Sequence, residues 1–190
     1  MKIAKNIFYL QSLNKNYLIK FYTFFLFLFL FIFITQPVFA ESSYVLQYPS
    51  FMPGTIFYKI DKVIEFAEKY WYFGDLGQFT YSLKESDKYL VQAKTLFEYQ
   101  QYLLAMDALQ ESDNYFQKTH LYLERAKKDG KDTANNEILL LQAAQKHVET
   151  VQFIETYVPK SFIWTPEKKA SSSLQIYSAL QNSIAIRKSI

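Results

Sequence analysis

The chain has 190 residues, half of them hydrophobic and 19% aromatic, and a formal net charge of +3. Four of its 21 basic residues and none of its 18 acidic ones lie in the first 40 positions, so the remainder carries 17 basic against 18 acidic side chains, interspersed. That near-neutral balance excludes the basic surface a nucleic-acid partner requires, and zero cysteines exclude disulfides and thiolate metal sites.

Residues 24–34 read FFLFLFLFIFI, preceded by Lys2, Lys5, Lys15 and Lys20 and followed by Pro37, Val38 and Ala40. Basic flank, short apolar run and small residues before a cut form the pattern of a secretory signal. The run is shorter than the roughly 20 residues that cross a bilayer core. Residues 1–40 therefore read as a signal peptide cut between Ala40 and Glu41, with an uncleaved signal anchor over residues 21–37 as the alternative. Either way the lysines stay inside and the rest of the chain lies outside, secreted or associated with the cell envelope.

Residues 41–54 lack helical periodicity and read as an extended leader. Residues 55–158 carry successive apolar stripes with few glycines and prolines, the pattern of an all-α domain: an antiparallel bundle of four to five helices after the N-terminal signal segment. The first helix is expected from Thr55 to residues 71–73, with Ile56, Ile60, Val63, Ile64 and Ala67 as its apolar stripe. Gly74-Asp75-Leu76-Gly77 is the expected break. The second helix runs from about Gln78 to residues 97–98, its inner side formed by Phe79, Leu83, Leu90, Ala93 and Phe97. Residues 98–101 form the expected turn, although they lack glycine and proline.

The third helix places Leu104, Ala108, Tyr115, Leu121 and Ala126 inward and stops at Lys127-Lys128-Asp129-Gly130, cations followed by a glycine. The fourth, over residues 134–157, has Leu141, Ala144, Val148, Val151 and Val158 at heptad-like spacing, interrupted by Glu155. Residues 159–190 read as a linker and a C-terminal helix. Thr165-Pro166-Glu167 resembles a helix start, and the last helix spans about residues 174–186 with Leu174, Tyr177, Leu180 and Ile184 inward.

Chemistry-bearing motifs are sparse. His120 and His147 are the only histidines and sit in no zinc-ligand spacing; no GxSxG marks a nucleophile. Neither a cofactor nor a metal is expected, and no catalytic residue is assigned. The carboxylate pairs Glu65/Glu68, Asp107/Glu111 and Asp129/Asp132 sit among lysines and read as solvated helix faces. Tyr70-Trp71-Tyr72-Phe73 is more informative. Successive helical residues turn by about 100°, so these four cannot all face one core. One or two should be exposed, where they suit contact with a protein or glycan of the envelope; the plainer reading is that they close the end of the bundle.

PSFMPGTIFYK at residues 49–59, YSLKESDKYL at 81–90, AKTLF at 93–97, and then Tyr102 and Ala105, resemble the bacterial family called domain of unknown function 5667. The similarity covers about residues 48–131; Met52-Pro53-Gly54 replaces a more acidic turn. The resemblance implies an extracytoplasmic helical module and supplies no catalytic residue. Together these readings favour a non-catalytic binding or scaffold module of the envelope. The alternative is a cell-wall polysaccharide hydrolase using a helix-borne carboxylate pair, which needs two acids across a cleft.

Overall fold

The computed structural model describes residues 20–24, 44–46, 56–168 and 170–190. The chain divides into two units, Met1–Ala40 and Glu41–Ile190. In the first, residues 20–24 are helical. The expected cut after Ala40, the Thr55 cap and most of the leader lie outside the described residues. Among the described residues no helix is long and apolar enough to cross a membrane.

The second unit is an all-α bundle. Its helices are α1 (Ile56–Trp71), α2 (Gly74–Glu98), α3 (Tyr102–Lys128), α4 (Ala134–Glu155) and α5 (Ile176–Lys188). Between α4 and α5 lies an antiparallel hairpin of β1 (Phe162–Trp164) and β2 (Ser172–Leu174), in which Phe162 pairs with Leu174 and Trp164 with Ser172. The hairpin corrects the expected linker and helix start at Thr165-Pro166-Glu167: these residues belong to the connection between the strands. It also takes Leu174 out of the last helix, which starts two residues later than expected.

Helices α2 and α3 form the central hairpin. They pack along their length because small side chains meet at the seam. Ser86 Oγ donates to the Ser112 carbonyl at 2.9 Å and Ser112 Oγ to the Ser86 carbonyl at 2.8 Å, a reciprocal pair that satisfies both hydroxyls in a buried contact. The turn between them, residues 99–101, ends α2 in a Schellman motif. Gln101 N–H donates to the Leu96 carbonyl at 2.9 Å and Gln100 N–H to that of Phe97 at 3.0 Å. Gln100 holds φ at 59°, the left-handed conformation usually given to glycine. Gly130 does the same job at the end of α3 with φ 73° and the equivalent bonds to Ala126 and Lys127, as its sequence position leads one to expect.

Two apolar clusters fill the bundle. Leu90, Ala93, Phe97, Leu109, Val151, Ile154, Ile176 and Leu180 form one; Phe79, Leu83, Phe116, Leu123, Leu140 and Ala143 form the other. All five expected inner residues of α2 are buried. The later helices agree with expectation in part: Ala108 and Ala126 of α3, Ala144 and Val151 of α4, and Leu180 and Ile184 of α5 are buried as expected. Leu104 and Leu121 of α3, Leu141 of α4 and Tyr177 of α5 point outward, while Ala105, Leu109 and Phe116, then Leu140 and His147, then Ile176 and Arg187 point inward. Ala105, His147 and Arg187 are small or polar residues at inner positions that a search for large apolar side chains passes over.

Helix α2 begins at Gly74, four residues before its expected start, so only residues 72–73 break the chain after α1. A Cβ at Gly77 would lie 3.0 Å from the Tyr72 carbonyl carbon, so the absence of a side chain there lets the end of α1 fold back closely on α2.

Candidate functional site

Helix α1 lies on the bundle the reverse way from expectation. Its apolar stripe faces out: Ile60, Val63 and Ile64 are 53%, 69% and 50% exposed. Glu65, expected on a solvated face, is instead 6% exposed and points at α2. Its carboxylate pairs with Lys88 through Oε1 and accepts from the Tyr89 hydroxyl through Oε2 at 3.3 Å, while the Tyr81 hydroxyl donates to its carbonyl at 3.2 Å. Glu68 pairs with Lys84 at 2.7 Å, and Gln78 Nε2 donates to the carbonyls of Lys69 and Tyr72 at 3.0 and 2.6 Å. Polar contacts thus latch α1 to α2.

Beneath the latch, Lys88 also meets Glu85 Oε2 at 2.9 Å, and the second oxygen of this fully buried carboxylate has no hydrogen-bond donor. Burial raises the Glu85 pKa, and the Lys88 ammonium opposes that rise. Tyr72, Tyr81, Tyr115 and Tyr89 form an aromatic series beside these charges. Ring centroids are 5.6, 6.1 and 5.7 Å apart in turn, and Tyr115 lies parallel to Tyr89.

The aromatic end of α1 divides accordingly. Tyr72 turns in and packs on Tyr81, whereas Tyr70, Trp71 and Phe73 stand out, Trp71 with 81% and Phe73 with 84% of their surface exposed. Three of the four are exposed where one or two were expected. The end of the bundle is not closed by them.

The carboxylate pairs do not converge. Glu65 and Glu68 are engaged by lysines of α2, and Asp107 and Glu111 lie on the outer surface of α3. Asp129 sits 3.9 Å from Lys131 Nζ, and Asp132 accepts from the Ala134 N–H at 3.1 Å. His120 and Glu124, 4.0 Å apart, line a groove of about 300 Å³ with Leu123, Lys127, Glu137 and Leu140. Among the described residues no group of three or more metal-ligating side chains comes together.

A second polar cluster, which the sequence did not reveal, lies inside the bundle. His147 on α4 is fully buried, with Nε2 2.7 Å from Asp87 Oδ1 on α2 and Nδ1 accepting from Arg187 Nε on α5 at 3.1 Å. Arg187, itself 2% exposed, pairs with Asp113 through Nη1 and donates from Nη2 to Ser112 Oγ at 2.8 Å. Ser183 Oγ donates to Asp113 at 2.7 Å, and the Tyr44 hydroxyl donates to the second oxygen of Asp87. Burial, aided by the charge of Arg187, lowers the His147 pKa to about 4 against the pull of Asp87, so the imidazole is neutral at pH 7. With both ring nitrogens engaged, His147 has no lone pair to offer a nucleophile. The serines bond to Asp113, Arg187 and backbone carbonyls, so the group is not arranged as a Ser-His-Asp triad. Its sequence signal is faint: single polar residues at 87, 113, 147 and 187, each at the inward register of an apolar stripe.

No family model, no curated protein and no solved structure matches the chain.

Proposed function

We propose that the chain is a non-catalytic extracytoplasmic binding or scaffold module of the bacterial cell envelope. The observation that carries this reading is the outward display of Tyr70, Trp71 and Phe73 at the end of α1, large rigid side chains of the kind that anchor interfaces. Their exposure is specified locally. Tyr72 is held on Tyr81 and Gly77 admits the close return of the backbone, which together aim the neighbouring rings outward. The lysine-flanked apolar run at residues 24–34 supports export. The partner is a protein or glycan of the envelope.

The test is a pull-down from envelope extract with the intact chain, with Trp71→Ala and Phe73→Ala as the variants and a wall-digestion assay alongside. The proposal expects a partner retained by the parent chain and lost by both variants. The competing reading, a wall-polysaccharide hydrolase, expects digestion of wall material that disappears with Asp107→Asn or Glu111→Gln. Such digestion would overturn the proposal.

A further inference from the structure

Lys88 has more around it than an ion pair requires. Its Nζ touches Glu65 Oε1 of α1 and lies 2.9 Å from Glu85 Oε2 of its own helix, and both carboxylates are buried. Buried Tyr81 and Tyr89, with Tyr115 stacked on the latter, stand beside the three side chains and limit the access of water. The site therefore holds an amine, a carboxyl carbon in contact with it, and a second carboxylate able to carry a proton. One cation there faces two anions, and unbalanced buried charge is costly. An amide between Lys88 and Glu65 removes two of the three charges. The pair Lys84–Glu68 joins the same two helices at 2.7 Å but is exposed, so water keeps it an ion pair.

We propose that Lys88 and Glu65 condense in the folded chain to an isopeptide bond, with Glu85 as the proton carrier. Glu85 takes one proton from the Lys88 ammonium and passes it to Glu65 Oε1, which makes the amine a nucleophile and the carboxyl an electrophile. The nitrogen lone pair attacks Cδ of Glu65, and the negative charge that forms on Oε2 meets the Tyr89 hydroxyl, 3.3 Å away. A second proton moves from nitrogen through Glu85 to Oε1, the Cδ–Oε1 bond breaks, and water leaves. The nitrogen keeps its third proton, and Glu85 ends as it began. Burial raises the Glu85 pKa, so this carboxylate accepts the lysine proton more readily than one in water. Burial also favours the neutral Lys88 amine; the hydrogen bonds and charges of Glu65 and Glu85 outweigh it while the ions stay paired, and that hold is released as the proton moves. Contact between amine and carboxyl supplies an effective concentration of about 10⁵ M or more in well-oriented cases, which favours loss of water over hydrolysis. The bond closes the chain across 23 positions and fastens α1 to α2 covalently in a sequence without cysteine. It is independent of the envelope reading, and either can fail without the other.

Tryptic mapping by mass spectrometry of the full chain, purified folded at pH 7 and then denatured, tests it. Residues 63–69 and 85–94 are expected as one branched peptide, lighter by one water than the two together, with fragmentation placing the junction at Glu65 and Lys88. Because the loss is read in that peptide, water lost elsewhere in the chain does not mimic it. Lys88→Arg keeps a cation at the position and is expected to return residues 63–69 as a separate peptide. Glu85→Gln is expected to slow the appearance of the branched peptide roughly hundredfold after refolding from urea, while reaching the same end point. Recovery of residues 63–69 as a separate peptide from the parent chain would overturn the proposal. A junction at Glu68 or Lys84, or a branched peptide that forms equally fast in urea, would also overturn it, and an unchanged rate in Glu85→Gln would remove Glu85 as the proton carrier. Should Lys88→Arg fail to fold, the map of the parent chain decides alone.

Discussion

Arg187 Nε donates to His147 Nδ1 at 3.1 Å, and that one bond fixes the imidazole proton on Nε2, where it is given to Asp87. The contact joins the last helix to α4, and through Asp87 and Asp113 to α2 and α3. A guanidinium suits the position because it directs separate donors at His147, Asp113 and Ser112 from one rigid plane. Replacing Arg187 with Met leaves Asp113 buried without its cation, with an expected loss of about 3–5 kcal/mol in urea unfolding. Arg187→Lys is expected to recover only part of it, because an ammonium at the end of a flexible stem cannot meet the three partners in that geometry.

The same site sets an acid limit on stability. In the unfolded chain His147 titrates near its ordinary value of 6.5, and in the bundle near 4. A depressed pKa means that the unfolded state takes up the proton first. The contribution is fully present above pH 6.5, declines as pH falls, and is gone below about 4, worth about 3 kcal/mol in all. Denaturant titrations at pH 7 and pH 4 are expected to differ by that amount from this residue. The His147→Gln variant, less stable at pH 7, is expected to show a smaller difference between the two.

At the α2–α3 turn a side chain occupies a glycine position. Gln100 at φ 59° carries the steric cost of the left-handed conformation, about 1–2 kcal/mol, less what a more flexible residue would lose in the unfolded chain. Gln100→Gly is expected to raise stability by about 1 kcal/mol, seen as a rise of a few degrees in Tm. The same change at Tyr99, whose φ is −84°, is expected to lower it.

Glu85 predicts a rise in Tm from a lost charge. Its carboxylate is buried, has one oxygen without a donor, and shares Lys88 with Glu65. Its pKa is raised, so its contribution to stability is greatest below its unfolded pKa and diminishes as pH rises through the folded one. Glu85→Gln is expected to increase Tm by a few degrees at pH 7, with the gain shrinking as the solution is acidified. Equal gain at all pH values would contradict this assignment.

The helical class was legible because apolar spacing and the few stops agree: Gly130 ends α3 where a glycine behind cations should, and every inner residue expected of α2 is buried. Less legible was which way a helix faces. The Ile60, Val63 and Ile64 stripe gives the stronger periodic signal in α1, yet Lys84, Lys88, Tyr81 and Tyr89 of α2 hold the charged side inward, and no local pattern in α1 encodes those partners. Ser86, Ser112, Asp113 and Arg187 were invisible for a related reason. Each is polar and read alone belongs to solvent; only pairing across 26 to 75 positions of sequence makes it a core residue. The hairpin at Phe162–Trp164 was hidden by its shortness and by Pro166, which reads equally well as the first turn of a helix.

The reversed seating of α1 underlies the aromatic display, and cysteine labelling tests it most directly. The chain contains no cysteine, so single Val63→Cys and Ile64→Cys variants, which leave the Glu65 latch in place, give an unmixed signal with a polar thiol reagent. With α1 seated on Glu65, both thiols are expected to react close to the rate of the unfolded chain. Protection of both by roughly tenfold or more would mean that the apolar stripe faces the bundle, and would contradict the structural basis of the proposed function.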